Sequence, residues 1–429
     1  MLRLSTMIHI LLLALLSLSC GKKSDVVELQ LWNFGGTPPM MEWVRGRVDA
    51  FNASQPRIRV VQSQKSWNMI RELLYTNMSA GTGPDVMNVH ANYAAEFGGA
   101  GFFYPLNKFP DFEEVRNIHE PNLFTSVQYG EDTYGLPTSS IAFVLVCNKE
   151  MFDAEGIAPP KTWSEFREAS KRLTKDVDGD GSVDQWGFVI MGGDRGGFAY
   201  RLAAFLYKAG ANILSDDLTR VDFNSEAGVR TLELLTEMHL VDQSITPGFL
   251  AYQLSEITDL FCSDRVGMSL EGPWFRVGVE QKSPGKDFYT VPVPIPDELM
   301  ERYDSMPTLQ DMVMYSINAN TKHLKESWEF TKFMRNEEAD MYWVLKNLGA
   351  FPTTKNAFSS PEAEKIRDFQ MYRNELQHAR PWPPHPAIIS IARNALTPWA
   401  QKAIVGEIPP RAAMARAAKE AQKILEEMK

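Results

Sequence analysis

The sequence predicts an α/β protein built as two lobes. Its 429 residues exceed the roughly 250–300 residues over which a single hydrophobic core usually extends. Near the N-terminus, a strand pattern at 27–32 precedes a helical pattern at 40–52, and a second strand pattern at 57–62 precedes a helical pattern at 67–79. Strands that alternate with helices indicate βαβ units, so we expect a mostly parallel sheet flanked by helices in each lobe.

The composition excludes several classes of protein. The formal net charge is −10, which disfavours a nucleic-acid partner because such a partner requires a basic patch. The three cysteines form no Cys-x-x-Cys pair, so they predict neither a disulfide framework nor a zinc site. The chain also has no Gly-x-Ser-x-Gly, His-Glu-x-x-His or Walker motif, so we expect neither catalysis nor a required cofactor.

The N-terminus predicts export from the cytoplasm. Residues 8–18 form an apolar run that is too short for a membrane helix of about 20 residues but fits a secretory signal peptide. A small residue, Cys20 and a glycine follow, and this pattern resembles the lipobox of bacterial lipoproteins, in which the cysteine carries the lipid. Because Ser17 replaces the usual branched apolar residue, cleavage without lipid attachment is an alternative. Residues 1–20 are therefore assigned to the signal peptide and 21–25 to a tether.

The segment from Tyr134 to Asn148 has the pattern of a turn that leads into a buried strand. A glycine and a proline mark the turn, Thr138 and Ser139 follow, and Ile141–Cys147 is an unbroken apolar run. Hydroxyl groups at the mouth of a strand can hydrogen-bond a small ligand, although an ordinary core strand would show the same pattern.

Several motifs along the chain together resemble bacterial extracellular solute-binding proteins of the maltose-binding type, which are the receptors of ABC importers. The sequence Ala-Gly-Thr-Gly-Pro-Asp-Val lies at 80–86, and Asn148-Lys149 is followed by Pro-Pro-Lys-Thr-Trp-Ser-Glu-Phe at 159–166. A Phe-to-Trp motif at 261–274 and a Gly-Ala-Phe-Pro motif at 349–352 follow in the order of the family. The resemblance extends from about residue 26 to the C-terminus.

The resemblance implies a two-lobed, periplasmic-binding-protein-like fold of type II, with hinge crossings between the lobes. Residues 26–140 and 312–375 would form lobe 1, and residues 141–311 and 376–429 would form lobe 2. A mono- or oligosaccharide would bind between the lobes, and hinge closure would present the liganded shape to a membrane permease. We expect a monomer in the periplasm or at the cell surface, anchored to the bilayer through Cys20. Two alternatives remain: a ligand-binding partner of a membrane sensor, and a receptor for a polyol or glycerol phosphate.

A sugar requires polar groups at its edge and an aromatic ring against its C–H face. Trp67, Trp274 and Trp382 are the candidate rings, and the resemblance implies stacking by Trp274 in particular. Each predicted residue could instead pack in the core or face solvent, and His90 and Arg195 would also suit a charged ligand. The predicted contacts are Asn33, Trp67, His90, Asn92, Tyr93, Thr138, Ser139, Asp194, Arg195, Glu271, Trp274, Asp311 and Trp382. Glu271 and Asp311 could also form the carboxylate pair of a glycosidase, which we do not expect here.

An acidic loop at 176–187 has the spacing of an EF-hand calcium loop. Its predicted ligands are Asp176, Asp178, Asp180, Ser182 and Asp184, with a glycine at the sixth position for the sharp turn. The twelfth position is a glycine, where the calcium loop has a bidentate glutamate, and flanking helices are not evident. The sequence is compatible with a structural calcium ion and equally with a solvated acidic turn.

Overall fold

The computed structural model describes residues 26–346 and 349–428, so the predicted signal peptide, the tether and Cys20 lie outside the described residues. The described chain contains two larger sheets and a short two-stranded ribbon. The strands are β1 (Val27–Phe34), β2 (Ile58–Lys65), β3 (Val86–His90), β4 (Gln128–Tyr129), β5 (Asp132–Thr133), β6 (Leu136–Ala142), β7 (Val144–Asn148), β8 (Trp186–Val189), β9 (Val266–Glu271), β10 (Phe288–Val291) and β11 (Gln310–Ile317).

Helices cover both sheets. The α-helices of six or more residues are α1 (Pro38–Ser54), α2 (Ile70–Ser79), α3 (Phe112–Asn117), α4 (Lys149–Glu155), α5 (Trp163–Arg172), α6 (Arg195–Lys208), α7 (Glu226–Leu240), α8 (Leu254–Cys262), α9 (Trp274–Lys282), α10 (Leu324–Met334), α11 (Glu337–Lys346), α12 (Phe369–His378), α13 (Thr397–Ile404) and α14 (Pro410–Glu427). The predicted capping box of α5 is present, since Thr162 and Glu165 exchange hydrogen bonds between side chain and backbone. Among the described helices, none combines the length and the apolar character that a membrane span requires.

The two larger sheets have mixed strand directions. The first has the order β2-β1-β3-β11-β6, and the second has the order β10-β7-β9-β8. In the first sheet β1 pairs in parallel with β2 and β3, but β11 is antiparallel to both of its neighbours. In the second sheet only the pair of β8 and β9 is parallel. The prediction of a mostly parallel sheet in each lobe was therefore wrong, because strands that cross between the lobes enter their sheets without a βαβ connection.

The apolar run Ile141–Cys147, which we predicted to be one strand, is divided between two strands of different sheets. Strand β6 ends at Ala142 in the first sheet, and β7 begins at Val144 in the second. Phe143 is the crossing residue: its amide donates to the Leu309 carbonyl (3.3 Å), and its carbonyl accepts from the Thr308 hydroxyl (2.8 Å). Burial on every side keeps the run apolar, so its sequence pattern does not reveal the break.

Three segments of the chain meet at the crossing. The third segment contains Arg380, which lies beside Phe143 and Leu309. Its amide donates to Thr308 O (2.9 Å), and its carbonyl accepts from Gln310 N (2.7 Å). We call the first sheet with its helices lobe 1 and the second sheet with its helices lobe 2. The predicted boundaries after residues 140 and 311 fall inside β6 and β11, so sheet membership moves the first crossing to Phe143 and the return crossing to 308–309.

Candidate functional site

A cavity of about 640 Å³ lies between the two sheets and is lined by residues of both lobes. This volume is within the range of about 300–1,000 Å³ that is typical of small-molecule sites. Nine of the thirteen predicted contact residues line it: Trp67, His90, Asn92, Tyr93, Ser139, Asp194, Trp274, Asp311 and Trp382. The cavity is therefore the candidate ligand site.

The two tryptophans of the opposing lobes each lie on a glycine. A Cβ added to Gly35, whose φ is +55°, would fall 1.5 Å from the Trp67 indole, and one added to Gly272 would fall 2.2 Å from the Trp274 ring. Both rings are therefore in contact with the backbone, which fixes their position. Only glycine permits approaches this close, and Gly35 also occupies a left-handed conformation that other residues rarely adopt.

The wall formed by lobe 1 combines an aromatic pair with a carboxylate. The Trp67 and His90 rings lie 4.3 Å apart between centroids, and His90 Nδ1 lies 3.2 Å from Asp311 Oδ1. His90 ends β3 and Asp311 lies near the start of the antiparallel strand β11, so neighbouring strand ends bring them together. Asn33, a predicted contact, lies beneath this wall. Its amide donates to Gln64 Oε1 (3.2 Å), and it does not line the cavity.

The wall formed by lobe 2 contains Tyr200, a residue that we did not predict. Its ring lies 5.4 Å from the Trp382 ring and 5.6 Å from the His90 ring between centroids. The Asn92 amide of lobe 1 donates a hydrogen bond of 2.7 Å to the Tyr200 hydroxyl of lobe 2. Burial raises the pKa of Tyr200 well above its usual value and the Asp311 carboxylate raises it further, so this hydroxyl stays protonated. Asn92 and Tyr200 thus connect the lobes directly.

Asp194 has a structural role in addition to its place in the cavity wall. Its carboxylate caps α6 by accepting hydrogen bonds from the amides of Gly196 and Gly197, both at 3.0 Å. It also lies 3.8 Å from the Arg393 guanidinium, which is a further lining residue. Arg195, a predicted contact, is exposed and does not line the cavity.

A buried ion pair lies at the lobe 2 side of the cavity. Arg201 lines the cavity and binds Glu271 through Nη2, and their side chains are 3% and 0% exposed. Glu271 was predicted to contact ligand, but the structure places it behind Arg201, where it also accepts a hydrogen bond from Ser269 Oγ (3.0 Å). Burial raises the pKa of Glu271, and the charge of Arg201 opposes this shift.

Five buried polar atoms of the lining residues have no hydrogen-bond partner within the described chain: Asn92 Oδ1, Arg201 Nε, Trp274 Nε1, Trp343 Nε1 and Trp382 Nε1. A buried polar group without a partner costs about 1–3 kcal/mol. A ligand with oxygen acceptors and hydroxyl donors would remove part of this cost. This pattern matches the chemistry of a polyhydroxy compound.

The hinge strand β6 is held in place from lobe 1. Thr138 is the extra residue of a β-bulge opposite Val313, and its hydroxyl donates to the Val313 carbonyl (3.0 Å) and not into the cavity. Behind it, Arg335 donates to the Pro137 carbonyl (2.9 Å) and pairs with Asp340, both side chains being 0% exposed. Thr138 therefore shapes the hinge, whereas its neighbour Ser139 lines the cavity.

Sequence reasoning missed several lining residues, among them Phe143, Tyr200, Arg201, Trp343 and Arg393. Phe143 was hidden in an apolar run, and Tyr200 belongs to a helix that is buried along most of its length. Arg201 offered one signal, because an arginine within a buried helix requires a partner.

The acidic loop forms a cluster outside the cavity. Carboxylate oxygens of Asp176, Asp178 and Asp184 lie within 4.8 Å of one another. Asp176 also accepts from the amides of Gly179 (2.7 Å) and Gly181 (2.8 Å), while Asp180 accepts from the amide of Ser182 (2.7 Å). The twelfth position, Gly187, has no room for a glutamate side chain, since an added Cβ would lie 2.0 Å from the Ser170 carbonyl oxygen.

Two lobes joined by chain crossings around a central cavity define a binding protein of the type II periplasmic class, which confirms the predicted fold class. The chain belongs to the family of bacterial extracellular solute-binding proteins, whose family model matches residues 36–341. Members of this family are periplasmic or surface-located binding components of transport systems, not enzymes. The resemblance to this family that the sequence motifs indicated is thereby confirmed.

Individual relatives agree with this assignment over nearly the whole chain. A protein of Brucella abortus (strain 2308) that is named as a binding protein is 25% identical over 423 residues, which cover 96% of each chain. The solute-binding protein of Thermotoga lettingae bound with α-D-tagatose has a TM-score of 0.82 at 23% identity, covering 93% of this chain and 100% of that one. The maltose-bound MalE3 of T. maritima has a TM-score of 0.81 at 20% identity, covering 93% and 100%.

Proposed function

We propose that this protein is the substrate-binding component of an ABC importer and captures a neutral carbohydrate in the cavity between its lobes. The observation that carries the proposal is the composition of the cavity wall. Trp67 and Trp274 offer fixed aromatic surfaces from opposite lobes, and Asp194 and Asp311 offer hydrogen-bond acceptors. Rings for C–H faces and carboxylates for hydroxyl groups are the two kinds of contact that a sugar requires.

The charges in the wall favour a neutral ligand over a phosphorylated one. Each basic residue that lines the described cavity has an acidic partner: His90 with Asp311, Arg201 with Glu271, Lys282 with Asp259 and Arg393 with Asp194. A site for phosphate would instead present unpaired arginine or lysine groups. Similarity to proteins whose structures contain tagatose and maltose supports the same ligand class.

Transport requires that a permease distinguish the liganded form. The crossings at Phe143, Leu309 and Arg380 are the positions about which the lobes would close, and hinge closure around a ligand is a common conformational change in two-lobed proteins.

The proposal includes export by the signal peptide and anchoring through a lipid on Cys20. Mass spectrometry of the mature N-terminus tests this part, because Cys20→Ala should abolish a lipid adduct and release the protein from membranes.

A thermal-shift screen tests the binding role. The purified wild-type protein is heated without ligand and with D-tagatose, maltose, D-glucose, ribitol or glycerol 3-phosphate. The same measurements are made on the variant Trp274→Ala. We expect a saturable rise in Tm with at least one sugar, since a ligand at 100 times its Kd stabilises the folded state by about 2.7 kcal/mol. The rise should be lost in Trp274→Ala.

The matched control is Trp399→Ala, which removes a partly exposed tryptophan of α13 that does not line the cavity. This variant should keep the sugar response of the wild type. A response only to glycerol 3-phosphate would contradict a neutral ligand, and no response to any sugar or polyol would contradict the carbohydrate-binding role.

A further inference from the structure

Arg201 is the basic residue most deeply buried in the cavity wall. It lies in the second turn of α6, after Asp194 and the two glycines that open the helix. Its Nη2 binds Glu271, and its Nη1 donates to the Gly197 carbonyl (3.0 Å). The guanidinium is thus held at two nitrogens, while Nε has no acceptor among the described residues.

Glu271 controls the charge that Arg201 presents to the cavity. The carboxylate is fully buried, and its second oxygen accepts a hydrogen bond from Ser269. Solvent therefore does not screen the negative charge that Glu271 places beside Arg201. Phe143 lies on another side of the guanidinium, at 5.8 Å from its ring centroid. The pair therefore has no net charge, although Arg201 keeps a donor that lacks a partner.

We propose that Arg201 is the specificity-determining residue of the cavity: its guanidinium donates to an oxygen of the bound sugar, and Glu271 cancels its charge, so that neutral sugars are selected over acidic ones. This inference rests on the carbohydrate-binding role proposed above. Glu271 is the positioning residue, because it acts on the ligand only through Arg201. The recognised chemistry is an uncharged hydroxyl or ring oxygen of a carbohydrate that reaches this wall as the lobes close.

Lysine could not replace Arg201 in this arrangement. The planar guanidinium directs five N–H donors along fixed directions, so nitrogens that already bind protein keep further hydrogens for a ligand. A lysine ammonium could still pair with Glu271, but its single nitrogen could not also reach Gly197 and a sugar. Arg201→Lys therefore preserves the neutral charge and removes the directed donor, whereas Glu271→Gln preserves the donor and leaves an uncompensated positive charge.

Calorimetric titration of the wild type and both variants with D-tagatose, maltose, D-glucose and D-glucuronate separates the two effects. We expect the wild type to bind at least one neutral sugar at least tenfold more tightly than D-glucuronate. Glu271→Gln should reduce that ratio by at least tenfold, because the free guanidinium attracts the carboxylate. Arg201→Lys should weaken the neutral sugar about tenfold and keep the preference for neutral over acidic sugar.

Another buried ion pair supplies the matched control. Lys208 and Glu375 are 0% and 4% exposed at their side chains and lie outside the cavity lining. Glu375→Gln should therefore perturb folding in a comparable way but leave the ratio between neutral and acidic sugars unchanged. If Glu271→Gln does not fold, the double variant Arg201→Met with Glu271→Gln replaces the whole pair, which proteins tolerate better than loss of one partner. It should bind the neutral sugar at least tenfold more weakly than the wild type.

The outcomes distinguish this inference from the function on which it rests. If the wild type binds none of the neutral sugars, the carbohydrate-binding role is wrong and the role of Arg201 is wrong with it. If the wild type binds a neutral sugar, but the folded variants keep both its affinity and its preference over D-glucuronate, the carbohydrate-binding role stands and the role of Arg201 and Glu271 is refuted. A changed ratio in Glu375→Gln would also refute it, since the effect would then follow from any loss of a buried pair.

Discussion

At the scale of single residues, Gly35 determines where the Trp67 ring can lie. Gly35→Ala should displace Trp67, because the new methyl group would occupy the position of the indole and the backbone would be held at an unfavourable φ of +55°. We expect affinity for a bound neutral sugar to fall at least tenfold and stability to fall by about 1 kcal/mol or more. Calorimetry and urea denaturation measure the two effects.

The matched control for that substitution is Gly46→Ala in α1. No atom lies within 4 Å of a Cβ at Gly46, and alanine favours a helix interior by roughly 0.5–1 kcal/mol. This variant should be as stable as the wild type or more stable, with unchanged sugar affinity. Unchanged affinity in Gly35→Ala as well would show that the position of Trp67 does not matter for binding.

His119 makes the stability of lobe 1 depend on pH. Burial, together with the positive charge of Arg335, lowers its pKa to about 4, and Nδ1 contacts the Thr353 hydroxyl at 3.0 Å. In the unfolded chain the pKa is about 6.5, so between these values the unfolded state binds one more proton than the folded state. The free energy of unfolding should therefore fall as pH drops from about 6.5 to about 4, by up to ~1.4 kcal/mol per pH unit from this residue.

Urea denaturation of His119→Gln at a series of pH values tests this assignment. The slope of unfolding free energy against pH should decrease by up to one proton relative to the wild type in the same window. His378→Gln, which changes an exposed histidine, should keep the slope of the wild type. Equal slopes in His119→Gln and the wild type would show that another group titrates.

Residue types alone predicted the part of the site that depends on ligand chemistry. Trp67, Trp274 and Asp311 could be proposed because a sugar requires rings and acceptors, and all three line the cavity. Arg201 could not be proposed, because its role depends on Glu271, which lies 70 residues away and reaches it only in the folded chain. Because Glu271 pairs with Arg201, it lies behind that residue and does not line the cavity.

At the scale of elements, the acidic loop at 176–187 is the candidate cation site of the described residues. Three carboxylates within 4.8 Å repel one another, and a Ca²⁺ ion would offset that repulsion. We expect Ca²⁺ to raise Tm relative to the chelator EGTA, and the rise should disappear in Asp178→Asn. Mg²⁺ should produce a smaller rise because it requires a stricter octahedral arrangement and retains its water ligands.

Asp217→Asn is the control for the calcium experiment, since Asp217 belongs to another exposed turn and accepts hydrogen bonds from Ser215 and Thr219. That variant should keep the full calcium response. If Tm is the same in Ca²⁺ and EGTA, the loop is a solvated acidic turn, held by the amide hydrogen bonds of Gly179 and Gly181 to Asp176.

Periodicity predicted the elements of lobe 1 better than those at the crossing. Strand β1 and helix α1 follow the expected patterns because each has one buried and one more exposed side. Around Phe143 both strands are fully buried, so hydrophobicity does not change where the chain leaves one sheet and enters the other. The direction of the strands next to the crossings was also mispredicted. A strand that enters a sheet from the other lobe can run antiparallel to its neighbours, and hydrophobicity does not reveal where that happens.

At the scale of the whole molecule, the hydrogen bond between Asn92 and Tyr200 links the two lobes across the cavity. It spans 2.7 Å between a loop of lobe 1 and a helix of lobe 2. A hydrogen bond of this kind contributes about 0.5–1.5 kcal/mol, which corresponds to a change of roughly two- to tenfold in the ratio of closed to open forms. Asn92→Ala should therefore shift the sugar-free protein towards the open form.

Small-angle X-ray scattering measures this shift as a larger radius of gyration of Asn92→Ala without sugar, and saturating sugar should restore the closed value. Affinity for the sugar should fall by the same factor as the population of the closed form, because a ligand that binds the closed form must first supply the free energy of closure. Asn107→Ala is the control, since its amide bonds Asp132 within lobe 1 at 3.2 Å. If Asn92→Ala loses affinity while its sugar-free scattering equals that of the wild type, Asn92 acts as a direct ligand contact and not as a connection between the lobes.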